Sequence, residues 1–202
     1  MVIAGVILAA GEGSRFKGEN KLLLPFRGRA VIYHVTREAL RSRLDPVLLV
    51  IGHEGAKVVA ALADLELDPK LEVIENPAWR SGRASSVKAA IAALPTDARG
   101  ALFLQGDMPL VTHQLIDSVA AEFARSGARL CFPIYNGEKG HPVAFSRELL
   151  PELAELSGDQ SGWALVKKHW AEAAKLPLED GATQFDLDTP EAYAQLLELE
   201  RE

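Results

Sequence analysis

Residues 8–24 read LAAGEGSRFKGENKLLL and form a glycine-rich segment at the end of an apolar run, residues 2–10. The run is short and rich in branched side chains, which is typical of a buried parallel strand. Gly11 and Gly13 allow the backbone to turn sharply and to bring its N–H groups close to an anion. Lys21 adds positive charge where the apolar pattern resumes. The segment predicts a loop that holds a triphosphate, and the alternative is an ordinary strand-to-helix turn with solvated charges.

Two common phosphate-binding loops do not fit this segment. A Walker A loop requires Gly-Lys followed by Ser or Thr, whereas Gly18 is followed by Glu19 and Asn20. The dinucleotide fingerprint GxGxxG begins correctly at Gly11 but has Phe16 in place of the third glycine. The loop therefore supports neither a P-loop kinase nor a dehydrogenase.

Length and composition favour one α/β domain over residues 1–202, because 202 residues are too few for two sizeable cores. A formal net charge of −6 argues against a nucleic-acid partner, which requires a basic face. No stretch reaches the ~18 apolar residues that span a bilayer, and no Lys or Arg precedes Val2 as in a secretion signal. Cys131 is the only cysteine, so no intrachain disulfide forms. We expect a cytoplasmic protein that binds no membrane.

Hydrophobic periodicity alternates buried strands with helices along the chain. Strands are predicted at residues 2–10, 46–52, 71–75, 101–105, 129–135, 141–145 and 184–187. Helices are predicted at residues 30–42, 54–64, 81–94, 112–126, 146–156, 162–172 and after Pro190. This alternation predicts a three-layer, Rossmann-like α/β fold with a mostly parallel sheet. A hairpin or crossover at residues 129–145 would make the sheet mixed.

Acidic residues follow two of the predicted strands. Asp107 comes directly after the strand at residues 101–105, in the sequence GDMP, and ligands gather beyond the carboxyl ends of parallel strands. Asp186 and Asp188, in FDLDTP, face the same side of an extended segment. Mg²⁺ takes one or two carboxylates together with substrate phosphates. These acids are candidates for a metal site, although Asp188 or Thr189 could instead only cap the last helix.

Several motifs of the chain resemble those of one enzyme family. Residues 8–24 resemble the LAAGxGxRxGxxK signature of the nucleotidyltransferases that transfer NMP from an NTP, with Lys17 as an extra residue between Arg15 and Lys21. The continuation KLLLP with Gly28 resembles the branch of molybdenum cofactor cytidylyltransferase and the MobA-like proteins. GDMP, GHPV, GDQSG and DLDTP follow in the family's order. The resemblance extends over nearly the whole chain and implies the nucleotidyltransferase version of the predicted fold.

This resemblance assigns roles to named residues. It implies that the glycine loop holds the triphosphate, with Arg15, Lys21 and Asp107 as the catalytic residues. It implies that Asp107 and Asp188 hold Mg²⁺ as the cofactor. The expected nucleotide-binding residues are Leu8, Ala9, Ala10, Gly11, Gly13, Lys21, Gly82, Ser85 and Asp107. For Ser85, a role limited to capping the next helix is the alternative.

The acceptor is expected at the second half of the chain. KGHPV, residues 139–143, resembles the family's GHPV element near the substrate that receives the nucleotide, and SGDQSGW, residues 157–163, resembles its GDxGA turn. The resemblance implies that His141 and Asp159 bind the acceptor, with Asp186 as a further candidate. The alternatives are a satisfied polar residue for His141 and a helix cap for Asp159.

The implied reaction is transfer of CMP from CTP to molybdopterin or its molybdenum-loaded form, with release of pyrophosphate. Ala10 follows the cytidylyl branch of the family, which has alanine where the guanylyl branch has glycine. A recipient molybdoenzyme is a further expected partner. The alternatives are an NTP transferase acting on a sugar phosphate or methylerythritol phosphate, a non-catalytic nucleotide-binding regulator, and a Rossmann-like domain of unrelated function.

Overall fold

The computed structural model describes residues 2–13, 16, 18–179 and 185–199. Strands in these ranges are β1 (Ala4–Ala9), β2 (Pro25–Phe26), β3 (Arg29–Ala30), β4 (Val47–Ile51), β5 (Leu71–Glu75), β6 (Gly100–Gln105), β7 (Leu130–Tyr135), β8 (Glu138–Lys139), β9 (Val143–Ser146) and β10 (Ala174–Pro177). The α-helices there are α1 (Val31–Arg41), α2 (Gly55–Ala60), α3 (Arg83–Ala93), α4 (His113–Ser126), α5 (Leu150–Ala154), α6 (Trp163–Lys168) and α7 (Pro190–Glu198).

The main sheet of the described residues runs in the order β10-β7-β9-β6-β1-β4-β5, with β8 paired to β7. β1 is parallel to both of its neighbours, β4 and β6, and the pairs β4–β5 and β7–β10 are also parallel. β9 lies antiparallel between β6 and β7. The predicted α/β fold with a mixed, mostly parallel sheet is therefore confirmed.

Helices cover both faces of the sheet, because alternate side chains of its buried strands point to opposite sides. Ile7 of β1 belongs to a core cluster with side chains of α1, α2 and α4. Val6, the preceding residue, belongs to a second cluster with side chains of α3, α5 and α6. Both residues have no measurable solvent exposure. The two clusters make the fold three-layered.

A third and smaller cluster holds the C-terminal segment against the small β2–β3 hairpin. Phe26, Val31, Leu187 and Leu196 are its buried members. The Tyr193 hydroxyl of α7 donates to the carbonyl oxygen of Pro25, at 2.7 Å. This packing positions the residues around Leu187 next to the main domain core.

The second half of the chain departs most from the predicted elements. Residues 185–187 lie in no strand, so the strand predicted at residues 184–187 is wrong there, and Gln184 lies outside the described residues. β10 was missed because it is an edge strand whose side chains are mostly half-exposed, which leaves little hydrophobic signal. α2 and α6 are each shorter than predicted.

None of the described helices has the length and apolar character needed to cross a bilayer.

Glu38 links α1 to the start of α4. One of its carboxylate oxygens, Oε2, accepts from the backbone N–H of His113 at 2.9 Å and lies 2.7 Å from His113 Nδ1. The other, Oε1, accepts from Arg37 and Arg41. Burial alone would raise the pKa of Glu38, but the hydrogen bonds from His113 and Arg37 and the charge of Arg41 lower it to about 2. A buried carboxylate thus binds both helices of one layer.

Glu38→Gln should lower the free energy of unfolding by about 1–3 kcal/mol at pH 7, because it removes a buried, charge-assisted hydrogen-bond acceptor. The native pKa is depressed, so the contribution is complete above the ordinary glutamate pKa of 4.5 and disappears as the pH falls toward about 2. Urea unfolding at pH values between 7 and 3 should show that the difference in unfolding free energy between the wild-type and Glu38→Gln proteins narrows as the pH falls. Glu122→Gln, which breaks a surface pair with Arg125 on α4, should have little effect at any pH. A pH-independent difference for Glu38→Gln would contradict the assignment.

Candidate active site

A cavity of about 830 Å³ opens at the carboxyl ends of β1 and β6. Most of the predicted site residues line it, namely Leu8, Ala9, Ala10, Gly11, Gly13, Lys21, Gly82, Asp107, His141, Asp159, Asp186 and Asp188. Arg15 lies outside the described residues. Ser85 is not part of the lining, whereas its neighbour Ser86 is. The fold thus brings motifs from the whole length of the chain to one cavity.

Lys21 is held by the residues around it in the chain. It begins a short 3₁₀ turn, Lys21–Leu23, whose first free N–H, that of Leu22, donates to Asn20 Oδ1 at 3.1 Å. Leu22 is buried and anchors this turn in the core below α1 and α2. Gly13 has a φ of +64°, a backbone conformation that side chains disfavour, and a Cβ there would lie 3.4 Å from Lys21 Cγ. The lysine stem therefore lies against the end of the glycine loop.

The Lys21 ammonium joins two carboxylates that are far apart in the chain. Its Nζ lies 2.5 Å from Asp107 Oδ2 and 2.8 Å from Asp188 Oδ1. Asp107 follows β6, while Asp188 lies in the segment before α7. The backbone N–H of Leu187 donates to the carbonyl oxygen of Asp107 at 3.1 Å, which fixes the two segments side by side. The predicted convergence of Asp107, Asp188 and the loop lysine is present in the structure.

Negative charge exceeds positive charge at this point of the cavity. Burial by itself lowers the pKa of Lys21, but the carboxylates of Asp107 and Asp188 outweigh it and raise that pKa above its ordinary value. Burial raises the pKa of Asp186, and the carboxylates of Asp188 and Asp107 raise it further. One ammonium thus faces three carboxyl groups. An additional cation would relieve this repulsion.

The donor set suits a hard divalent cation. Carboxylate oxygens are the ligands that Mg²⁺ and Mn²⁺ prefer, and Mg²⁺ usually takes one or two of them together with substrate phosphates. No group of three or more His, Cys, Asp or Glu side chains with metal-binding geometry occurs among residues 2–13, 16, 18–179 and 185–199. Asp107 and Asp188 therefore fit a site that is completed by the substrate, and they do not fit a closed structural metal site.

The cavity wall near Ala10 also contains an aromatic residue to which the sequence motifs assigned no role. Trp79 lines the cavity, and the Arg80 guanidinium lies 4.2 Å from the centre of its ring. Ala10 is 3% exposed, and a Cβ added at Gly52 would approach Ala10 Cβ and Trp79 Cβ to 2.9 and 2.7 Å. Ala10 and Trp79 therefore both lie against Gly52, directly after β4, and both line the cavity.

Gly82 allows the backbone before α3 to pack closely against the backbone at Gly158. Its φ is +108°, and a Cβ at this position would collide with the carbonyl group of Gly158. The backbone N–H of Ala84, at the start of α3, donates to that same carbonyl oxygen at 3.0 Å. Ser85 Oγ accepts from Asn76 Nδ2 and donates to the Gly82 carbonyl oxygen, so it accepts no bond from the first N–H groups of α3 and does not cap that helix. The turn with GDQSG is thus held directly against the loop before α3.

Lys139 and Trp163 also line the cavity, next to the predicted acceptor residue His141. Lys139 Nζ lies 3.0 Å from His141 Nε2 and 5.9 Å from the centre of the Trp163 ring. Lys139 lies in the motif KGHPV and Trp163 in the motif SGDQSGW, but the resemblance implies roles there only for His141 and Asp159. Their proximity in the chain to His141 and Asp159 was the only sign in the sequence that they could belong to the same site. The fold shows that they line the same cavity.

Comparisons with known proteins agree with this geometry. The sequence profile described as the MobA-like NTP transferase domain matches residues 5–174. Molybdenum cofactor cytidylyltransferase of Escherichia coli (strain K12) is 27% identical over 190 residues, which cover 93% of this chain and 92% of that protein. Purine catabolism protein PucB of Bacillus subtilis (strain 168) is 31% identical over 198 residues, which cover 95% of this chain and 94% of that protein. The crystal structure of Rv0371C from Mycobacterium tuberculosis H37Rv in complex with manganese matches with a TM-score of 0.81 and 30% identity. The match covers 98% of this chain and 99% of that chain.

Gly82→Ala should destabilise the protein by more than the ~1–3 kcal/mol that an unfavourable backbone conformation alone costs, because its Cβ would also collide with Gly158. Gly127→Ala is the reference for a positive-φ glycine in open space, with a φ of +63° and no atom within 4 Å of its added Cβ, whereas Gly82→Ala combines a backbone conformation essentially restricted to glycine with the collision. Thermal unfolding of both variants measures the difference. Equal losses would mean that the contact between the two backbones contributes nothing.

Proposed function

The chain belongs to the MobA-like NTP transferase family, and on that premise we propose that it transfers CMP from CTP to molybdopterin or molybdenum cofactor and releases pyrophosphate. The observation that carries the proposal is the meeting of Lys21, Asp107 and Asp188 beside the glycine loop, at the edge of a large cavity. A nucleotidyltransferase requires this combination of an anion-binding loop, a cation and carboxylates.

In the proposed reaction, a phosphate oxygen of the acceptor attacks the α-phosphorus of CTP. The bond between the α-phosphorus and the oxygen that bridges it to the β-phosphorus breaks, and the electron pair leaves with pyrophosphate. Negative charge therefore grows on the leaving group, where positive groups lower the barrier most. No covalent enzyme intermediate is needed, so the reaction requires no nucleophilic serine or cysteine.

Residues of the chain would supply this stabilisation from the glycine loop. The Lys21 ammonium and the backbone N–H groups of residues 11–13 would contact the leaving phosphates. Arg80 and Arg83, which both line the cavity and are exposed, would contribute charge at the loop before α3. The chain is acidic overall, so these local cations are what allow an anionic nucleotide to bind.

Asp107 and Asp188 are the residues that would hold a divalent ion, with Mg²⁺ as the proposed cofactor. A bound ion of this kind neutralises nucleotide phosphates without adding a proton donor. The proposal of a divalent ion is supported by the surplus of carboxyl groups around Lys21, where burial raises the pKa of Asp186 and the carboxylates of Asp188 and Asp107 raise it further. The manganese in the complex of Rv0371C, a relative with 30% identity, supports a divalent ion in general.

Two observations support CTP and a molybdopterin acceptor. Ala10 is packed at the cavity wall, where the cytidylyl branch of the family has alanine. The E. coli relative, which matches 93% of the chain, is named for cytidylyl transfer to molybdenum cofactor. His141, Asp159 and Asp186 all line the cavity and are the proposed acceptor contacts.

A panel of ATP, GTP, CTP and UTP, each with and without molybdopterin in the presence of Mg²⁺, tests the proposal through pyrophosphate release. Release should require both CTP and molybdopterin. Release with a sugar phosphate or methylerythritol phosphate, and none with molybdopterin, would replace the proposed acceptor. Binding of CTP without release for any acceptor would instead indicate a nucleotide-binding regulator.

Within the same assay, Asp107→Asn should reduce the rate by about 100-fold or more, the size expected when one electrostatic group at a transition state is lost. The variant should also lose the extra thermal stabilisation that Mg²⁺ adds to the CTP complex. Asp64→Asn, which breaks a surface pair with Arg29, is the control and should leave both measurements unchanged. Near-normal turnover in Asp107→Asn would remove this residue from the metal site.

Ala10→Gly should weaken the preference for CTP over GTP by about tenfold, a change typical of one methyl group in a tight pocket. The physical reason is that the Ala10 methyl group belongs to the cavity lining and would leave less room there for a larger base. The ratio of kcat/KM for the two nucleotides measures the effect. An unchanged ratio would show that the base is recognised elsewhere.

A further inference from the structure

Lys139 places an ammonium group on the cavity wall without a carboxylate partner. It ends β8, is partly buried, and donates to the carbonyl oxygen of Gly140 at 3.0 Å. No ion pair joins Lys139 to any other residue of the described ranges. Lys21, in the same cavity, has two carboxylates within 2.8 Å. The two lysines therefore differ in that only the charge of Lys21 is neutralised by the protein.

Burying the charged Lys139 ammonium without a counterion costs free energy, because the group loses hydration. Loss of hydration lowers the pKa of Lys139 to about 8, and no neighbouring carboxylate compensates for it. A bound anion would restore the missing counter-charge. An ammonium in this condition, on the wall of a cavity, is suited to hold an anionic ligand.

His141 positions this ammonium but does not neutralise it. Burial and the Lys139 charge lower the pKa of His141 to about 3, so the imidazole is neutral at physiological pH. Its Nε2 lies 3.0 Å from Lys139 Nζ and therefore accepts a hydrogen bond from the ammonium. The ring proton then resides on Nδ1, a buried atom without a hydrogen-bond partner among the described residues. The Lys139 ammonium is thus the group that the pair offers to a ligand.

Trp163 adds a flat apolar surface to the same part of the cavity. Its side chain is 40% exposed although it lines the cavity, and Lys139 Nζ lies 5.9 Å from its ring centre. The ring of Trp170 meets it edge-to-face at 6.2 Å and holds its orientation. Lys167 Nζ lies 5.3 Å from the Trp163 ring but is outside the cavity lining.

We propose that Lys139, positioned by His141, binds the phosphomonoester of the acceptor and that Trp163 stacks against the acceptor's planar heteroaromatic ring. The juxtaposition of an uncompensated cation and an exposed indole matches a ligand that carries a phosphate next to an aromatic ring. This subsite rests on the proposed function only in taking that ligand to be the acceptor. Its two halves make separate contributions to binding.

The test compares a pterin that carries one phosphate with the same pterin without it. Calorimetry with neopterin monophosphate and neopterin measures how much the phosphate adds to the affinity of each variant. Lys139→Met should weaken binding of the phosphorylated pterin by about tenfold or more, as expected for loss of a charge-assisted hydrogen bond, and leave neopterin unchanged. Trp163→Ala should weaken both ligands by a similar factor. Lys167→Met, the matched control, should change neither.

Equal effects of Lys139→Met on both pterins, or an effect of Lys167→Met as large, would overturn the phosphate assignment. CTP affinity, measured in parallel, should be the same in Lys139→Met and the wild-type protein, which separates a lost contact from misfolding. These binding results do not depend on turnover. Absence of pyrophosphate release would contradict the proposed function, while a phosphate-specific loss in Lys139→Met would still support the subsite.

Discussion

The parallel pairing of β1 with both β4 and β6 is the constraint on which the site depends. Leu8 is aligned with Val50 on one side and with Gln105 on the other, so the three strands end at the same level. The backbone N–H of Gly106 donates to the Leu8 carbonyl oxygen at 3.0 Å, which continues the pairing beyond β6. The glycine loop and Asp107 must therefore meet. A one-residue slip would turn buried side chains toward the wrong layer, so the register is strongly held.

Charge is distributed unevenly around the cavity that this edge creates. At Lys21 the ammonium is balanced by Asp107 and Asp188, and the further acid Asp186 makes the surroundings negative in sum. At Lys139 the ammonium has only neutral partners, a carbonyl oxygen and an imidazole. One cavity thus contains a region suited to a metal-associated polyanion and a region suited to a free anion. This division suits the proposed reaction between two phosphorylated substrates, since both reactants are negatively charged.

Much of the fold was predictable because its signals are local. Apolar strands such as β4, and β6 up to Gln105, are recognised from residues close together in the chain. The same holds for the cap of α4, where the Thr112 hydroxyl accepts from the Leu115 N–H. β10 was missed because an edge strand with half-exposed side chains has no comparable pattern. The position of Asp107 at the cavity was predictable because this residue directly follows a buried strand. Asp188 needed the family's motif, because the local sequence fits a helix cap equally well.

The sequence by itself determined most of the buried strands and the helices between them, the glycine loop, and the acids at the ends of buried segments, because periodicity and turn chemistry act over a few residues. Only the tertiary structure decided that Gly82 lies against Gly158, that Ser86 replaces Ser85 in the cavity lining, and that Lys139 retains an uncompensated charge. Each of these depends on distances between segments far apart in the chain. Packing sets such distances, and no local spacing of residues encodes them.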